Sequence, residues 1–329
     1  MGHAGGRAGA QPYTAGNVVT TVHQLGALEA EFATDGIRVD WTYHSGGPAM
    51  NDAQARGLVD FAFDGIGGVS RARAAGIKRK LLLRVGQNGN SFCYVVVRAD
   101  SPFQTMTDLR GRRFATIYGA GGHITLCRML EKSGIGVHEV EFVNLDSAAA
   151  VLTATATGET DANVMARPFD LLTQKKIRIV YDGTRDPELN LAGSLSVAGE
   201  FERHYPTIVQ RVVNVLVKTA AWTCDEANRE AAFALWTKAG LSREELERNW
   251  AALPLKLRYS PLLDANYFAQ LRRYIADARR FEGTTTEQLV DVKDWAEPKY
   301  LTRALEELGL QDFWLECDAG GKPVGGVDL

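Results

Sequence analysis

This chain of 329 residues has few cysteines, no long apolar run and no excess of either charge. Its four cysteines, Cys93, Cys127, Cys224 and Cys317, form no Cys-x-x-Cys pair, and none lies near a histidine at zinc-finger spacing. We therefore expect scattered buried thiols and no structural zinc site, although an even count also permits two disulfides. No apolar run approaches the ~20 residues that a membrane-spanning helix needs.

The charges are balanced, with 37 lysines and arginines against 40 aspartates and glutamates. Proteins that bind nucleic acid usually carry a basic domain or stripe, so we expect no nucleic-acid partner. Hydrophobic residues make up 45% of the chain and charged residues 23%, as in an ordinary globular protein. At ~100–200 residues per domain, the length predicts two domains or one large one.

Several motifs that mark cofactor sites and active sites are absent. No glycine run continues into Lys-Ser/Thr at Walker spacing, no Gly-x-Gly-x-x-Gly opens a helix with a suitably placed acid, and no Gly-x-Ser-x-Gly is present. We therefore expect no nucleotide cofactor, no metal and no hydrolase nucleophile. Residues 1–10 contain no apolar segment typical of a signal peptide, so none is predicted in this sequence.

Short apolar runs alternate with helix-like stretches through the first two thirds of the chain, which favours an α/β class with a largely parallel sheet. Similar strand–glycine loop–helix units in residues 36–97 and 114–181 predict two lobes of one architecture. From about Tyr205 the pattern is almost wholly helical. Strands are predicted over 36–43, 59–63, 80–86, 92–97, 114–118, 140–144, 161–165 and 178–181. Helices are predicted over 18–33, 48–56, 70–75, 123–133, 146–157, 168–175, 206–227, 242–250, 267–281 and 300–308.

Four glycine-bearing loops precede predicted helices, at residues 14–17, 45–48, 64–68 and 119–123. In an open α/β sheet such loops line the crevice at the carboxyl ends of the strands. Glycine lets the backbone approach a ligand, and helix N-termini offer free N–H groups and the positive end of a dipole. We therefore predict that loops from both lobes bind a small anion in a shared cleft. The alternative is that each glycine only completes a tight turn.

Two further residues are candidates for that cleft. Arg167 follows a predicted strand and is able to clamp a sulfonate or carboxylate with two hydrogen bonds. Asn190 lies on the predicted return crossover between the lobes and offers an amide donor. A surface arginine and an asparagine that caps a turn are equally good explanations for these two residues.

The order and spacing of the motifs resemble the aliphatic sulfonate/nitrate/taurine family of ABC-transporter solute-binding proteins. The resemblance runs from about residue 14 to about residue 315. The segments that carry it are SGGPAMNDA (45–53), GLVDFA (57–62), DLRGRR (108–113), GAGGH (119–123), LEKSGI (130–135), GETDA (158–162), HYP (204–206) and DWAEPKYL (294–301).

The resemblance implies a type II periplasmic-binding-protein fold, with mixed, mostly parallel sheets flanked by helices and a helical C-terminal part. Lobe I is expected to comprise residues 1–98 and 192–329, and lobe II residues 99–191, with the ligand cleft between them. The implied partners are a small organic anion and the permease and ATPase of an importer, and we expect a periplasmic monomer without catalytic residues. By loop position the resemblance assigns the ligand to Thr14, Gly16, Asn17, Ser45, Gly46, Asp64, Gly65, Gly121, Gly122 and His123.

Two departures from the family pattern leave an alternative open. Family members usually begin with a hydrophobic strand, whereas residues 2–11 are poor strand material, and a signal peptide is missing. Both features also fit a cytoplasmic enzyme on the same scaffold, a desulfinase- or decarboxylase-like enzyme that acts on an aromatic acid. The desulfinase of this fold carries its nucleophilic cysteine in the first loop, where this chain has Ala15-Gly16-Asn17.

Overall fold

The computed structural model describes residues 1–4, 16–44, 46–88, 93–166, 168–184, 186–189, 191–238, 241–251, 254–283 and 292–324. Within these ranges the chain forms fourteen α-helices and two five-stranded sheets. The predicted α/β class is therefore confirmed.

The chain divides into two compact units. Unit 1 comprises Met1–Asn88, Ala192–Ile275 and Thr285–Leu329, and unit 2 comprises Gly89–Leu191 and Ala276–Thr284. Residues 89–98, which the sequence analysis placed in lobe I, belong to unit 2 because a strand at Tyr94–Arg98 pairs with strands of the second sheet.

Ten strands build the two sheets, and both sheets are mixed. In sheet 1 the order is β2-β1-β3-β10-β4, and in sheet 2 it is β7-β6-β8-β5-β9. Strand β1 is parallel to β2 and β3, whereas β10 is antiparallel to β3; β6 is parallel to β7 and β8, whereas β5 is antiparallel to β8 and β9. The strands are β1 (Gly2–Ala4), β2 (Thr42–His44), β3 (Phe61–Gly65), β4 (Arg79–Asn88), β5 (Tyr94–Arg98), β6 (Arg113–Thr116), β7 (Glu141–Asn144), β8 (Ala162–Met165), β9 (Ile177–Asp182) and β10 (Leu191–Ala198).

Helices follow the strands in the first two thirds of the chain and dominate the last third. They are α1 (Val18–Gln24), α2 (Ala27–Phe32), α3 (Gly47–Ala55), α4 (Ile66–Ala74), α5 (Gly121–Lys132), α6 (Ala148–Thr157), α7 (Phe169–Thr173), α8 (Gly199–His204), α9 (Pro206–Thr223), α10 (Arg229–Lys238), α11 (Arg243–Ala251), α12 (Leu255–Arg258), α13 (Ala265–Glu282) and α14 (Lys299–Leu308). No helix in the described ranges combines the length and the apolar character needed to cross a membrane.

The core of unit 1 lies between sheet 1 and the long helix α9. Apolar residues of α9 recur every three or four positions, which places them on one buried face of the helix. Strands β4 and β10 contribute Leu82, Leu83, Leu195 and Val197 to the same cluster. The buried apolar residues of α9 are Val209, Val212, Val213, Leu216, Val217 and Ala220.

Unit 2 has its own core on sheet 2. Val95 and Val97 of the inner strand β5 pack with Phe114 of β6 and with Leu126 and Met129 of α5. All five are fully buried. Helix α5 ends before Gly134, whose φ of 72° is the left-handed conformation that commonly follows the end of a helix.

Three strands differ from the sequence-based predictions. The strand predicted over residues 36–43 is limited to Thr42–His44. Residues 2–11 were expected to be poor strand material, but Gly2–Ala4 forms β1 between two parallel neighbours. The small residue is required there, because a Cβ on Gly2 would lie 2.7 Å from Val59 Cγ1. Strand β10 was not predicted, since residues 190–195 were interpreted as a crossover.

Candidate functional site

The candidate ligand-binding residues of the sequence analysis fall into three groups. Thr14, Ser45, Arg167 and Asn190 lie outside the described residues. Unit 1 contains Gly16, Asn17, Gly46, Asp64 and Gly65, and unit 2 contains Gly121, Gly122 and His123.

Packing and capping explain the loop that precedes α1. The side chain of Asn17 caps α1, because its Oδ1 accepts a hydrogen bond from the N–H of Thr20 at 2.9 Å. Gly16 lies against Trp236, where a Cβ would be 3.1 Å from the indole ring. The hydroxyl of Tyr259 donates to the carbonyl oxygen of Gly16 at 3.4 Å. A ligand-binding role of this loop stays a prediction.

Two glycine loops of unit 1 place the beginnings of α3 and α4 next to each other. A Cβ on Gly47, the first residue of α3, would lie 2.9 Å from the Cα of Gly68 in the first turn of α4. The Nδ2 group of Asn51 donates to the carbonyl oxygen of Gly68 at 3.0 Å and fastens the contact. Gly46 precedes α3 with a φ of 89°, a conformation that favours glycine. We call these two first turns the paired N-termini.

The paired N-termini have no side-chain caps. Gly46 and Gly65 occupy the N-cap positions of α3 and α4 and supply no side-chain hydrogen bond. The first N–H groups of an α-helix have no partner within the helix, and the helix dipole places positive charge there. Two such ends in contact therefore form a donor-rich, positive element that suits an anion.

The carboxylate of Asp64 is part of a buried ion pair next to this element. Its Oδ2 atom accepts from Arg79 Nη2 at 3.1 Å, and the exposed fractions of the two side chains are 1% and 4%. Arg79 also donates to Gln54 Oε1 at 3.1 Å. Burial raises the pKa of Asp64 above its usual value, and the attraction of Arg79 opposes that shift. Asp64 therefore links β3 to β4, and any contact with an anion falls to the neighbouring backbone.

A third uncapped helix begins in unit 2. Ala120 occupies the N-cap position of α5 without a side-chain hydrogen bond, after Gly119 with a φ of 82°. The N–H of Gly119 donates to Glu282 Oε1 at 3.3 Å, so this amide is already occupied. Gly121 is in tight contact with Leu191, because a Cβ there would lie 2.9 Å from Leu191 Cδ1.

The side chain of His123 is buried inside unit 2. Its ring lies between Tyr118 and Phe142, with centroid distances of 4.8 and 4.9 Å. Nδ1 is 3.5 Å from the hydroxyl of Thr116, and Nε2 is 3.8 Å from Cys127 Sγ. The start of α5 therefore has backbone N–H groups available to a ligand, and a ligand contact by the His123 imidazole stays a prediction.

The four cysteines are free, and three of them are buried, as the sequence analysis expected. Burial raises the pKa of Cys93, Cys127 and Cys224 to about 12 and that of Cys317 to about 11. At neutral pH all four are therefore protonated thiols rather than nucleophilic thiolates. Within the described ranges no three His, Cys, Asp or Glu side chains are grouped as a metal site requires.

Three buried arginines of unit 1, Arg79, Arg84 and Arg258, were not among the candidates from the sequence. Arg79 stands between Lys78 and Lys80, a basic run that is typical of an exposed surface. Arg258 is at the end of α12, next to Tyr259. A single sequence carries no signal that a given arginine is buried.

The family model described as "NMT1/THI5 like" matches residues 32–228, more than half of the chain. The chain belongs to the NMT1/THI5-like family. A protein of Escherichia coli (strain K12), provisionally named an aliphatic sulfonates-binding protein, is 28% identical over 237 residues, 70% of each chain. Resemblance to this group of proteins was predicted from the sequence and is confirmed.

Solved structures share the fold of this NMT1/THI5-like chain. A periplasmic sulfonate-binding protein from Methylobacillus flagellatus KT has a TM-score of 0.78 at 22% identity, with 97% of each chain covered. The alkanesulfonate-binding protein from Xanthomonas axonopodis pv. citri, solved with MOPS bound, has a TM-score of 0.68 at 22% identity, with 86% of this chain and 91% of that chain covered. These likenesses show the periplasmic-binding-protein fold.

Gly47→Ala tests the close approach of α3 and α4 in this NMT1/THI5-like protein. We expect the free energy of unfolding to fall by ~1–3 kcal/mol, because the new Cβ meets a backbone atom at 2.9 Å. Gly65→Ala is the matched control and should change stability by less than ~0.5 kcal/mol, since nothing lies within 4 Å of a Cβ there. Denaturant unfolding followed by circular dichroism measures both, and equal stabilities of the two variants would contradict the contact.

Asp64→Asn tests the structural role of the buried pair. Loss of the carboxylate leaves Arg79 buried without its counter-charge, so we expect the free energy of unfolding to fall by ~3–5 kcal/mol. The control is Asp52→Asn, which breaks an exposed pair with Arg56 and should cost less than ~1 kcal/mol. Thermal and denaturant unfolding give both values. If Asp64→Asn were as stable as the control, the carboxylate would not anchor the two strands.

Thiol reactivity tests the protonation of the cysteines. At pH 8 a thiol with a pKa of about 11 or 12 is almost entirely protonated, so Ellman's reagent should label the native protein slowly. After denaturation in guanidinium chloride all four thiols should react at once. Rapid labelling of one cysteine in the native protein would identify an activated thiol and contradict the expectation.

Proposed function

We propose that this protein is the solute-binding component of an ABC importer and captures a small organic anion of the sulfonate class. The paired N-termini of unit 1 carry the proposal, because they provide uncapped N–H groups and positive dipole ends without a ligating side chain. A sulfonate has three acceptor oxygens and no proton to donate at neutral pH, so donors alone satisfy it.

Similarity to other proteins supports the same proposal. The E. coli relative is provisionally named for binding aliphatic sulfonates, and the Xanthomonas structure contains a bound sulfonate, MOPS. The names of these two proteins support capture of a sulfonate rather than its turnover.

We propose that backbone groups at the uncapped helix N-termini of each unit contact the ligand. In unit 1 these are Gly46 and Gly65 with the first turns of α3 and α4, and in unit 2 they are Gly121 and Gly122 at the start of α5. Thr14, Ser45, Arg167 and Asn190 are proposed ligand contacts on sequence grounds alone. Gly16, Asn17, Asp64 and His123 are proposed to shape the site. Gly16 packs closely against Trp236, and the side chains of the other three are held by capping, ion pairing or packing.

The proposed setting follows from the function. We infer a periplasmic monomer that delivers the anion to a membrane permease driven by an ATPase, as in importers of this type. A desulfinase-like enzyme with a cysteine nucleophile would need a reactive thiolate, whereas burial raises the pKa of all four thiols.

Calorimetric titration with ethanesulfonate and MOPS tests the proposal. We expect saturable binding of one molecule per chain. Gly122→Asp should weaken it by ~10-fold or more, because a carboxylate at the start of α5 repels an anion and occupies the helix dipole.

Ala149→Asp is the matched control for that variant. It adds the same charge to the first turn of another helix of unit 2, α6, at an exposed position, and should leave the affinity unchanged. Circular dichroism checks that both variants are folded. Absence of binding to any alkanesulfonate by the unmodified protein would refute the proposed function.

A further inference from the structure

Four arginines in the described ranges are less than 9% exposed, and three of them have a carboxylate partner. The pairs are Arg79–Asp64 at 3.1 Å, Arg84–Asp264 at 3.6 Å, and Arg128–Asp277. The fourth, Arg258, has none. Three of the four buried arginines in the described ranges therefore follow the rule that buried charges are paired.

The guanidinium of Arg258 is buried without hydrogen bonds at two of its nitrogens. The residue is 7% exposed, and neither Nε nor Nη2 has a partner. Desolvation by burial lowers the pKa of Arg258, and the interaction with Tyr259 opposes that shift. No described carboxylate lies within ion-pair distance of this side chain.

An arrangement of this kind is costly for a folded protein. Arginine stays protonated at neutral pH even when it is buried, so Arg258 does not escape the cost by losing its proton. The free-energy cost of removing a guanidinium from water is offset only by a nearby opposite charge or by hydrogen-bond acceptors for its N–H groups. The described residues provide no opposite charge and no acceptor for Nε and Nη2 of Arg258. A bound molecule is therefore the natural source of such an acceptor.

Arg258 is also adjacent to the residue that holds the start of α1. Its neighbour Tyr259 donates to the carbonyl oxygen of Gly16 and packs on Trp236, with ring centroids 6.2 Å apart. The resemblance assigned ligand contacts to the Gly16 loop, independently of Arg258. The unpaired guanidinium is therefore one residue away in sequence from a side chain that contacts the Gly16 loop.

We propose that Arg258 binds the anionic group of the ligand, and that it is a specificity-determining residue that restricts the ligand to anions. The planar guanidinium presents two parallel N–H groups that match two oxygens of a sulfonate or carboxylate. The inference rests on the proposed function in one respect: it takes the bound anion to be the captured solute.

Arg258→Met removes the charge and keeps an unbranched apolar side chain. In the absence of ligand its melting temperature should equal or exceed that of the unmodified protein, because an uncompensated buried charge is gone. Its affinity for ethanesulfonate should fall by about 10–100-fold, as expected for a lost hydrogen bond to a charged group. Arg258→Lys keeps the charge without the fork and should restore part of the affinity.

Lys256→Met is the matched control. It removes a positive charge from the same helix at an exposed position and should leave the affinity for ethanesulfonate unchanged, while loss of its cation–π contact with Phe313 should lower the melting temperature slightly. Sodium sulfate serves as a second probe, compared with sodium chloride at equal ionic strength. It should raise the melting temperature of the unmodified protein more than that of Arg258→Met.

The outcomes separate this proposal from the proposed function. If Arg258→Met binds ethanesulfonate as tightly as the unmodified protein, Arg258 is not a ligand residue, whereas the function stands. If no alkanesulfonate binds but sulfate stabilises the unmodified protein more than Arg258→Met, the anion site stands and the sulfonate function falls. A lower melting temperature of ligand-free Arg258→Met, or no response of the unmodified protein to either anion, overturns the proposal for Arg258.

Discussion

The close contact between Gly47 and Gly68 brings the N-termini of α3 and α4 together, and the proposed anion site of unit 1 depends on it. Helices α3 and α4 begin side by side because neither glycine has a side chain, and a Cβ on Gly47 would lie 2.9 Å from the backbone of α4. The uncapped N–H groups of both first turns and the positive ends of both dipoles are thereby brought together. The strands, the buried ion pair of Asp64 with Arg79 and the hydrogen bond of Asn51 all serve to hold these two turns in place.

The buried arginines of unit 1 differ in whether they have a carboxylate partner. Arg79 and Arg84 form ion pairs that stabilise the fold, whereas Arg258 forms none with a described residue. Asp64 was a candidate ligand contact, but its carboxylate forms an ion pair with Arg79. The positive charge of Arg79 offsets the repulsion that this carboxylate would otherwise exert on a bound anion. Arg84 is balanced in the same way by Asp264. Arg258 has no such partner among the described residues, and a ligand that carries its own negative charge would complete the pattern.

The boundaries of several helices and strands could be predicted from the sequence, because glycine loops and amphipathic patterns are local features of the chain. Glycine loops before amphipathic segments located α3, α5 and the end of β3 to within a few residues, and the left-handed Gly134 marked the end of α5. Strand β1 could not be predicted, since a Gly-His-Ala segment is poor strand material and becomes a strand only through pairing with β2 and β3. The capping role of Asn17, the interior position of His123 and the burial of Arg79 and Arg258 depend on tertiary packing, which a single sequence does not show.

A crystal structure of the protein with an alkanesulfonate bound tests the central claim most directly. We expect sulfonate oxygens within ~2.7–3.2 Å of backbone nitrogens in the first turns of α3 or α4. A sulfonate bound on another surface of the molecule, with those turns covered by side chains of the protein itself, would contradict it.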